Sequence, residues 1–412
     1  MLNRRSSLLA AVAATALVGA IAAPVAFAAD KVLKIGMGAS LTGGDAQGAL
    51  LQENGVKMAL EEANAAHAVK GYKLVIYTLD DGTATAGQYD PAQAATNARK
   101  FVSDKTVVGI VGPQMSGAAK AMTPILSMAN LAMITPSATN PDLTDPKFAA
   151  QFRPAGKTVF FRTVATDAFQ GPNMANYFAE VLKVKSVFVL DDSGAYGEGL
   201  ADAFQHQAEA KGIKILGRDK LDPKAADYAA ILTKIKSMNP DALYYGGTMQ
   251  AGVKLVKQSY EILPGIIKAG GDGVQDPEMF TGAGYPAAEG WYATVAAPHV
   301  NEDPALANWV MKYKAEFKVA PDDYAVCAYD ATQAYIASAA KLVAAKKPIN
   351  RDTIRSTLAA ISITTLQGPV AFDENGDIKN RVVSVFQAHK NDAFPLDDLA
   401  HQYKYLGVAP QS

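Results

Sequence analysis

The chain has 412 residues, with 39 Lys and Arg against 40 Asp and Glu and a formal net charge of −1 at pH 7. A charge so close to zero gives no support for a nucleic-acid partner or an anionic membrane surface. Hydrophobic residues make up 49% of the sequence, so sizeable cores can be buried, and the length predicts two domains after an export signal.

The first 28 residues have the pattern of that signal. Arg4 and Arg5 provide a positive start, residues 8–23 an apolar stretch, and Ala26-Phe27-Ala28 a small-residue cleavage site. An uncleaved anchor is disfavoured because polar residues follow directly, and a twin-arginine signal is the minority interpretation of the arginine pair. We expect a signal peptide at residues 1–28, cleavage near Ala28 and a periplasmic location.

The rest of the chain predicts a free, diffusing protein. No apolar run reaches the roughly 18 residues that a membrane-spanning helix needs, so no membrane insertion is expected after cleavage. Cys327 is the only cysteine, which excludes an intrachain disulfide, and no cysteine follows the cleavage point to carry a lipid. We interpret Cys327 as a small buried side chain.

The first part of the mature chain alternates strand and helix. The predicted strands are residues 32–37, 73–79, 107–111 and 132–134. The predicted helices are residues 55–66, 91–103 and 118–130. This order is typical of a parallel, doubly wound α/β unit, which ends at the polar stretch 140–157.

A second α/β unit follows. Its predicted strands are residues 158–162, 186–190, 213–216, 241–245 and 266–269, and its helices 168–182, 197–211, 226–237 and 252–263. Beyond Trp291 come another strand, helices at 304–317 and 324–345, and a shorter helix after Asn350. A hairpin is predicted between residues 369–372 and 381–388, with Asn375-Gly376 in its turn. Two late helices without new parallel strands predict that the chain returns to the first domain.

Two apolar runs end in turns with hydroxyl side chains. Residues 107–117 end at Ser116 and Gly117, and residues 132–141 contain Ser137-Ala138-Thr139. In an open α/β sheet, ligands bind at the carboxyl ends of strands. Ser116 also lies near a predicted helix start, where unpaired N–H groups and the helix dipole attract an anion. The pattern predicts a socket for a small carboxylate.

Enzyme and metal motifs are incomplete. Gly36-Met37-Gly38 lacks the third glycine of a dinucleotide fingerprint, and Ser116 lacks the flanking glycines of a hydrolase elbow. The paired acids Asp80-Asp81 and Asp191-Asp192 more often cap turns and helices than catalyse. The histidines show no metal-ligand spacing. We expect no enzyme activity, no cofactor and no metal site.

Four collinear motifs carry a family resemblance. They are Met133–Pro141, Phe161-Arg162-Thr163, Asp192–Leu200 and Tyr244-Tyr245-Gly246-Gly247. The chain resembles the leucine/isoleucine/valine-binding proteins of branched-chain amino-acid ABC transporters over nearly all of residues 31–390. The resemblance implies a type I periplasmic binding protein, in which two doubly wound, Rossmann-like α/β lobes are joined by a three-stranded hinge.

The resemblance also implies the arrangement of the chain and its partners. The N-terminal lobe would comprise residues 29–165 plus 294–370, and the C-terminal lobe residues 166–293 plus 371–412. A small-molecule amino acid and a membrane ABC permease are the implied partners, and a monomer is expected. The alternatives are a ligand sensor of the same fold that reports to a receptor, and a secreted α/β enzyme, which would need the missing nucleophile–base pair.

By similarity, one end of the site binds the backbone of an amino acid. Ser116 and Thr139, helped by the backbones of Ser137 and Gly117, would bind the α-carboxylate, and Ala138 lies in the same turn. Asp272, followed by Gly273, would bind the α-ammonium, and Tyr196 and Tyr324 would line the side chain. A zwitterion leaving water needs both charges matched. The simpler interpretations are a turn aspartate, a helix cap and two packing tyrosines.

Two departures from the family pattern concern the side-chain end. Gly48, in the predicted first loop, and Thr248 stand where the family usually has aromatic residues. Loss of two rings widens or polarises this end, so the ligand can be larger or more polar than leucine. The candidates for recognising it are Asp45, Gln47, Gln114 and Thr248.

Overall fold

The computed structural model describes residues 30–300 and 303–411. The predicted signal peptide therefore lies outside the described residues. Within them, no helix is both long and apolar enough to cross a bilayer.

The first half of the described chain builds a five-stranded parallel sheet in the order β2-β1-β5-β6-β7. The elements in chain order are β1 (Lys31–Ala39), α1 (Ala46–Ala65), β2 (Tyr72–Asp80), β3 (Gly82–Thr83), β4 (Gln88–Tyr89), α2 (Pro91–Ser103), β5 (Val107–Val111), α3 (Ser116–Met128), β6 (Met133–Thr135), α4 (Ala149–Phe152) and β7 (Phe160–Arg162). The strands β3 and β4 form a short hairpin outside the main sheet.

The second half builds a seven-stranded sheet in the order β16-β15-β12-β11-β10-β8-β9. Its elements are α5 (Asp167–Glu180), β8 (Ser186–Asp191), α6 (Ala195–Ala210), β9 (Lys214–Lys220), α7 (Ala229–Met238), β10 (Ala242–Gly246), α8 (Met249–Ile262), β11 (Ile267–Gly270) and β12 (Tyr292–Val295), and later β15 (Ser384–Ala388), α12 (Leu399–Gln402) and β16 (Tyr403–Val408). Strands β8 to β12 run parallel, and β15 and β16 extend the sheet antiparallel.

The predicted return of the chain to the first sheet is observed. Its elements are α9 (Ala307–Phe317), α10 (Asp323–Ala344), α11 (Arg351–Ala359), β13 (Ser362–Thr365) and β14 (Gly368–Ala371). Helix α10 packs along α1, and buried side chains of both, such as Val56 and Tyr335, share one core with Ile35 of β1. Helices α2 and α3 cover the opposite face of the sheet around Phe101 and Met122. The first lobe is therefore a sheet with helices on both faces.

Two local predictions are wrong. Residues 369–372 and 381–388 do not pair as a hairpin: β14 pairs with β13, and β15 joins β12 and β16 in the second sheet. The predicted turn at Asn375-Gly376 forms, but it closes only the isolated antiparallel bridge between Phe372 and Ile378. The apolar residues Val385 and Phe386 are buried in the second core, and this burial outweighs local pairing across the turn. Helix α1 begins at Ala46, nine residues before the predicted start. The first turns of this helix are buried in the fold, whereas the sequence predicted an exposed loop there. Gly48 therefore lies in a helix.

The chain passes between the two sheets three times, near residues 163–166, 296–299 and 378–383. The backbone N–H of Ala165 donates to the carbonyl of Ala296 at 2.7 Å, and the Ser384 hydroxyl donates to the carbonyl of Ala297 at 2.7 Å. These bonds hold the three crossings together as one connector. The carboxyl ends of both sets of parallel strands face the cleft between the lobes, so the loops at these ends form its walls.

Candidate functional site

A pocket lies in the cleft between the lobes, with about 570 Å³ of empty space that includes space open to solvent. The predicted site residues that line it are Gly48, Gln114, Ser116, Ser137, Tyr196, Thr248, Asp272, Gly273 and Tyr324. They come from both lobes, and all but Tyr324, near the start of α10, follow the carboxyl ends of parallel strands. The position agrees with the rule for ligand sites in open α/β sheets.

The lobes contact each other at both lips of the cleft. On one side the Asn140 side-chain amide donates to the carbonyl of Ala195 at 2.7 Å. On the other, the Gln250 amide donates to the carbonyl of Ala86 at 2.9 Å. The structure therefore shows the lobes closed on each other.

Three predicted residues, Gly117, Ala138 and Thr139, lie behind the lining. A Cβ at position 117 would lie 2.3 Å from the hydroxyl oxygen of Tyr89, so only glycine allows this close approach. The Ala138 N–H donates to the Thr135 hydroxyl at 2.8 Å, and Thr139 is fully buried. Tyr89 had no sequence signal, because its proximity arises from packing of the β3–β4 hairpin.

One end of the cleft can accept an anion. Ser116 is the first residue of α3, and the preceding Met115 provides no side-chain cap for the N–H groups of the first turn. The Ser116 hydroxyl oxygen accepts the Asn140 N–H at 3.2 Å, so its own proton points elsewhere and can be donated. The Ser137 hydroxyl lies 3.0 Å from the carbonyl of Gln114 and 3.2 Å from the Gln52 amide oxygen. Hydroxyl and backbone donors at a helix start suit a carboxylate.

The carboxylate of Asp272 is oriented by three donors. Its Oδ1 accepts the Tyr196 hydroxyl at 2.6 Å and the Gln170 amide at 2.6 Å, and its Oδ2 accepts the Tyr324 hydroxyl at 2.6 Å. The two tyrosines thus line the cleft and also position the acid. Burial raises the pKa of the Asp272 carboxyl, and these hydrogen bonds partly offset the rise. An ammonium group beside it would stabilise the charged form.

A second acid, Asp167, lies behind Asp272. Gln170 donates to Asp167 Oδ1 at 3.1 Å as well as to Asp272. Burial, and then the charge of Asp272, hold the pKa of the Asp167 carboxyl well above its usual range, while the neighbouring Thr139 hydroxyl lowers it.

The opposite end of the cleft is acidic. The lining of the cleft also includes the predicted candidate Asp45, together with Gln52, Gln275, Asp276, Pro277 and Asp322, which were not predicted. Burial raises the pKa of Asp276 and of Asp322 to about 7, and it raises that of Asp45 well above its usual range. Position 48 lies between these groups: a Cβ there would be 3.2 Å from Gln114 Nε2 and 3.6 Å from Asp276 Oδ2.

Some of these residues had usable sequence signals. Gln52 is one helical turn beyond Gly48, so the true start of α1 would have placed both on one face. Asp322 caps α10 by accepting the Ala325 N–H at 2.6 Å, which is the ordinary interpretation of such a residue. Gln47 does not line the cleft. Within the described ranges no group of three or more His, Cys, Asp or Glu is placed to hold a metal ion.

Comparison with known proteins identifies the family. Residues 32–393 match the family model described as periplasmic binding protein. The chain is 31% identical over 374 residues to a Leu/Ile/Val-binding protein of Rhizobium johnstonii, covering 90% of this chain and 96% of that protein. The chain belongs to the periplasmic binding protein family. A leucine-, isoleucine-, valine-, threonine- and alanine-binding protein of Pseudomonas aeruginosa is similarly 31% identical over 369 residues, with 90% and 93% covered.

Solved structures confirm the fold of this periplasmic binding protein. A leucine-binding protein of Thermotoga maritima gives a TM-score of 0.78 at 24% identity, covering 92% of this chain and 98% of that one. A branched-chain amino-acid-binding protein of Streptococcus pneumoniae, solved with isoleucine, gives 0.76 at 23% identity, covering 93% and 100%. The prediction of a two-lobed type I fold is confirmed, and the family is one of substrate-binding proteins rather than enzymes.

Proposed function

We propose that this protein captures an amino acid in the cleft and delivers it to a membrane ABC importer, without chemical change. One observation carries the proposal: the uncapped start of α3 with Ser116, and the oriented carboxylate of Asp272, line one closed cleft. Donors on one side and a carboxylate on the other match the two charges of an amino-acid backbone. The names of the two relatives support this ligand class.

Lobe closure is the proposed means of capture. Ligand contacts from both lobes favour the closed form over an open one, in which the lip bonds of Asn140 and Gln250 are broken. We assign residues 29–165 plus 296–378 to the first lobe and 166–295 plus 379–412 to the second. Compared with the bounds expected from the sequence, this moves Thr294 and Val295 of β12 to the second lobe and residues 371–378, with the buried Phe372 and Ile378, to the first. We further propose that residues 1–28 are removed near Ala28 on export to the periplasm, and that the protein acts as a monomer.

A thermal-shift screen of the mature protein against the standard amino acids and simple carboxylic acids tests the ligand class. A bound amino acid raises the melting temperature, by an increment that grows with concentration above Kd. Ser116→Ala should weaken binding about tenfold, because one charge-assisted hydrogen bond contributes roughly 1.5–3 kcal/mol.

Ser237→Ala, on the exposed side of α7, is the matched control. It should leave binding unchanged. A screen in which no amino acid shifts the melting temperature would overturn the proposal. Equal binding by wild type and Ser116→Ala would reject Ser116 as a carboxylate donor.

A further inference from the structure

We propose that the preferred ligand is an amino acid with a cationic side chain, whose positive group is held at the far end of the cleft by Asp45, Asp276 and Asp322. The inference rests on the proposed function and specifies the substrate class of the same site. The far end is hereafter the cleft region lined by these three acids together with Gln114 and Thr248.

The charges at the far end all have one sign. Asp45 comes from the start of α1, Asp276 from the loop after β11, and Asp322 from the start of α10. Among the described residues that line the cleft there is no Lys or Arg. Because removing a carboxylate from water costs several kcal/mol unless a partner repays it, such a cluster favours a ligand that brings positive charge.

Unsatisfied hydrogen-bonding atoms point to the same ligand. Asp45 Oδ2, Gln114 Oε1 and Thr248 Oγ find no hydrogen-bond partner among the described residues. These residues are only 4%, 7% and 7% exposed, so their side chains have little access to hydrogen bonds with bulk water. The Gln114 amide nitrogen donates to the carbonyl of Asp45 at 3.3 Å, which leaves its oxygen as the free group.

The free atoms are acceptors, with the Thr248 hydroxyl able to act either way. Ammonium and guanidinium groups are donors only, so they satisfy acceptors without adding a new one. A neutral amide would place its own oxygen among carboxylates. An aliphatic side chain would leave every acceptor unpaired, at a cost of about 1–3 kcal/mol for each.

Closure makes the requirement for a cation stronger. It brings Asp45 of the first lobe towards Asp276 and Glu278 of the second, and these like charges raise the pKa of the Asp45 carboxyl after burial itself. A cation between the lobes converts this repulsion into attraction. Gly48 leaves the region open, since it has no side chain between Gln114 and Asp276.

The test compares ligands that differ only in the distal group. Calorimetric titration at pH 8 pairs L-arginine with L-citrulline, and L-lysine with L-norleucine. Norleucine has the carbon chain of lysine without the amine at the end of the side chain. Agmatine, which lacks the α-carboxylate of arginine, tests the other end. We expect at least one cationic amino acid to bind tenfold or more tighter than its neutral partner, and agmatine to bind weakly. The arginine and lysine arms separate guanidinium from ammonium.

Asp45→Asn and Asp276→Asn should each lower the affinity for the cationic ligand about tenfold and leave that for its neutral partner unchanged or higher. Glu261→Gln, on the exposed side of α8, is the control and should change neither. Melting temperatures of all variants confirm folding. If only neutral amino acids bind, or neutral partners bind equally well, this inference fails while the proposed function stands. If no amino acid binds, both fail.

Discussion

The two ends of the cleft differ in how their carboxylates are hydrogen bonded. At the amino-acid backbone end, Asp272 accepts three side-chain donors, and Ser116 accepts the Asn140 N–H. At the far end, Asp276 and Asp322 accept backbone N–H groups, and Asp45 Oδ2 has no hydrogen-bond donor among the described residues. Groups already held in place by hydrogen bonds bind the α-carboxylate and α-ammonium, which all amino acids share, with little reorganisation. The like charges of the far end discriminate between the side chains of different amino acids.

The largest expected effect is at Asp272. Asp272→Asn keeps the shape of the side chain but removes the charge that the α-ammonium needs, leaving that ammonium uncompensated in a buried site. We expect a loss of affinity of at least 100-fold, since removing one partner of a buried ion pair costs about 3–5 kcal/mol. Isothermal titration with the tightest amino acid measures it. A loss below threefold would show that Asp272 does not bind the ammonium.

A change at Gly48 should alter the far end without touching the backbone end. Gly48→Leu places an aliphatic side chain where a Cβ would already lie 3.2 Å from Gln114 Nε2. We expect about tenfold weaker binding of lysine, because its ammonium is displaced from Asp276, and tighter binding of norleucine. Titration of both ligands gives the ratio. An unchanged ratio of the two affinities would show that position 48 does not affect selectivity for the side chain of the ligand.

The acidic far end should also make the stability of the closed form depend on pH when no ligand is bound. The pKa of Asp276 and that of Asp322 are about 7 in the folded protein, against an ordinary 3.8. Between these values the folded state holds protons that the unfolded state has released, so these groups reduce stability as pH rises from about 4 to 7. Asp45, Glu278 and Asp323 face the two acids and contribute to the repulsion.

Differential scanning calorimetry of wild type and Asp276→Asn, at pH 5 to 8 and constant ionic strength, isolates this contribution. The melting temperature of the variant should exceed that of the wild type by an amount that grows with pH. A saturating cationic amino acid should shrink the difference. A difference in melting temperature that narrows as the pH rises would contradict this prediction, because repulsion between the carboxylates should grow as they lose protons.

The smallest expected effect is at the lip of the cleft. Gln250→Ala removes the bond to the carbonyl of Ala86 and so destabilises the closed form by about 0.5–1.5 kcal/mol. Ligand dissociation measured by stopped flow should become a few-fold faster, with the association rate nearly unchanged. Unchanged dissociation would mean that this contact forms no part of closure.

The same contrast explains what the sequence could predict. Ser116 and Asp272 follow strands whose apolar runs are plain in the sequence, and long motifs there match the family, so both were placed in the cleft. The sequence does not reveal the start of α1, because Gly48 and its neighbours have the composition of a loop. Only their burial against the rest of the fold explains why they are helical. The predicted hairpin does not form for a similar reason, since Val385 and Phe386 of β15 are buried when this strand joins the second sheet.

The acidic cluster could be predicted only in part: Asp45 was a candidate for the side-chain end, whereas Asp276 and Asp322 had no signal. Each of its members has an ordinary local explanation: Asp322 caps a helix, and Asp276 accepts the Glu278 N–H at 2.8 Å in a tight turn. Asp45 precedes α1 in a glycine-rich stretch. Only the packing of two lobes brings these carboxylates together, and that proximity has no counterpart in local sequence.

The most direct test of the whole account is a pair of calorimetric titrations, L-lysine against L-norleucine, at pH 7 in buffers of different ionisation enthalpy. Lysine should bind at least tenfold tighter, and its binding should release protons, because the cation lowers the pKa of Asp276 and Asp322 from about 7. Norleucine should release none. Equal affinities for the two ligands, with no proton release by lysine, would contradict it.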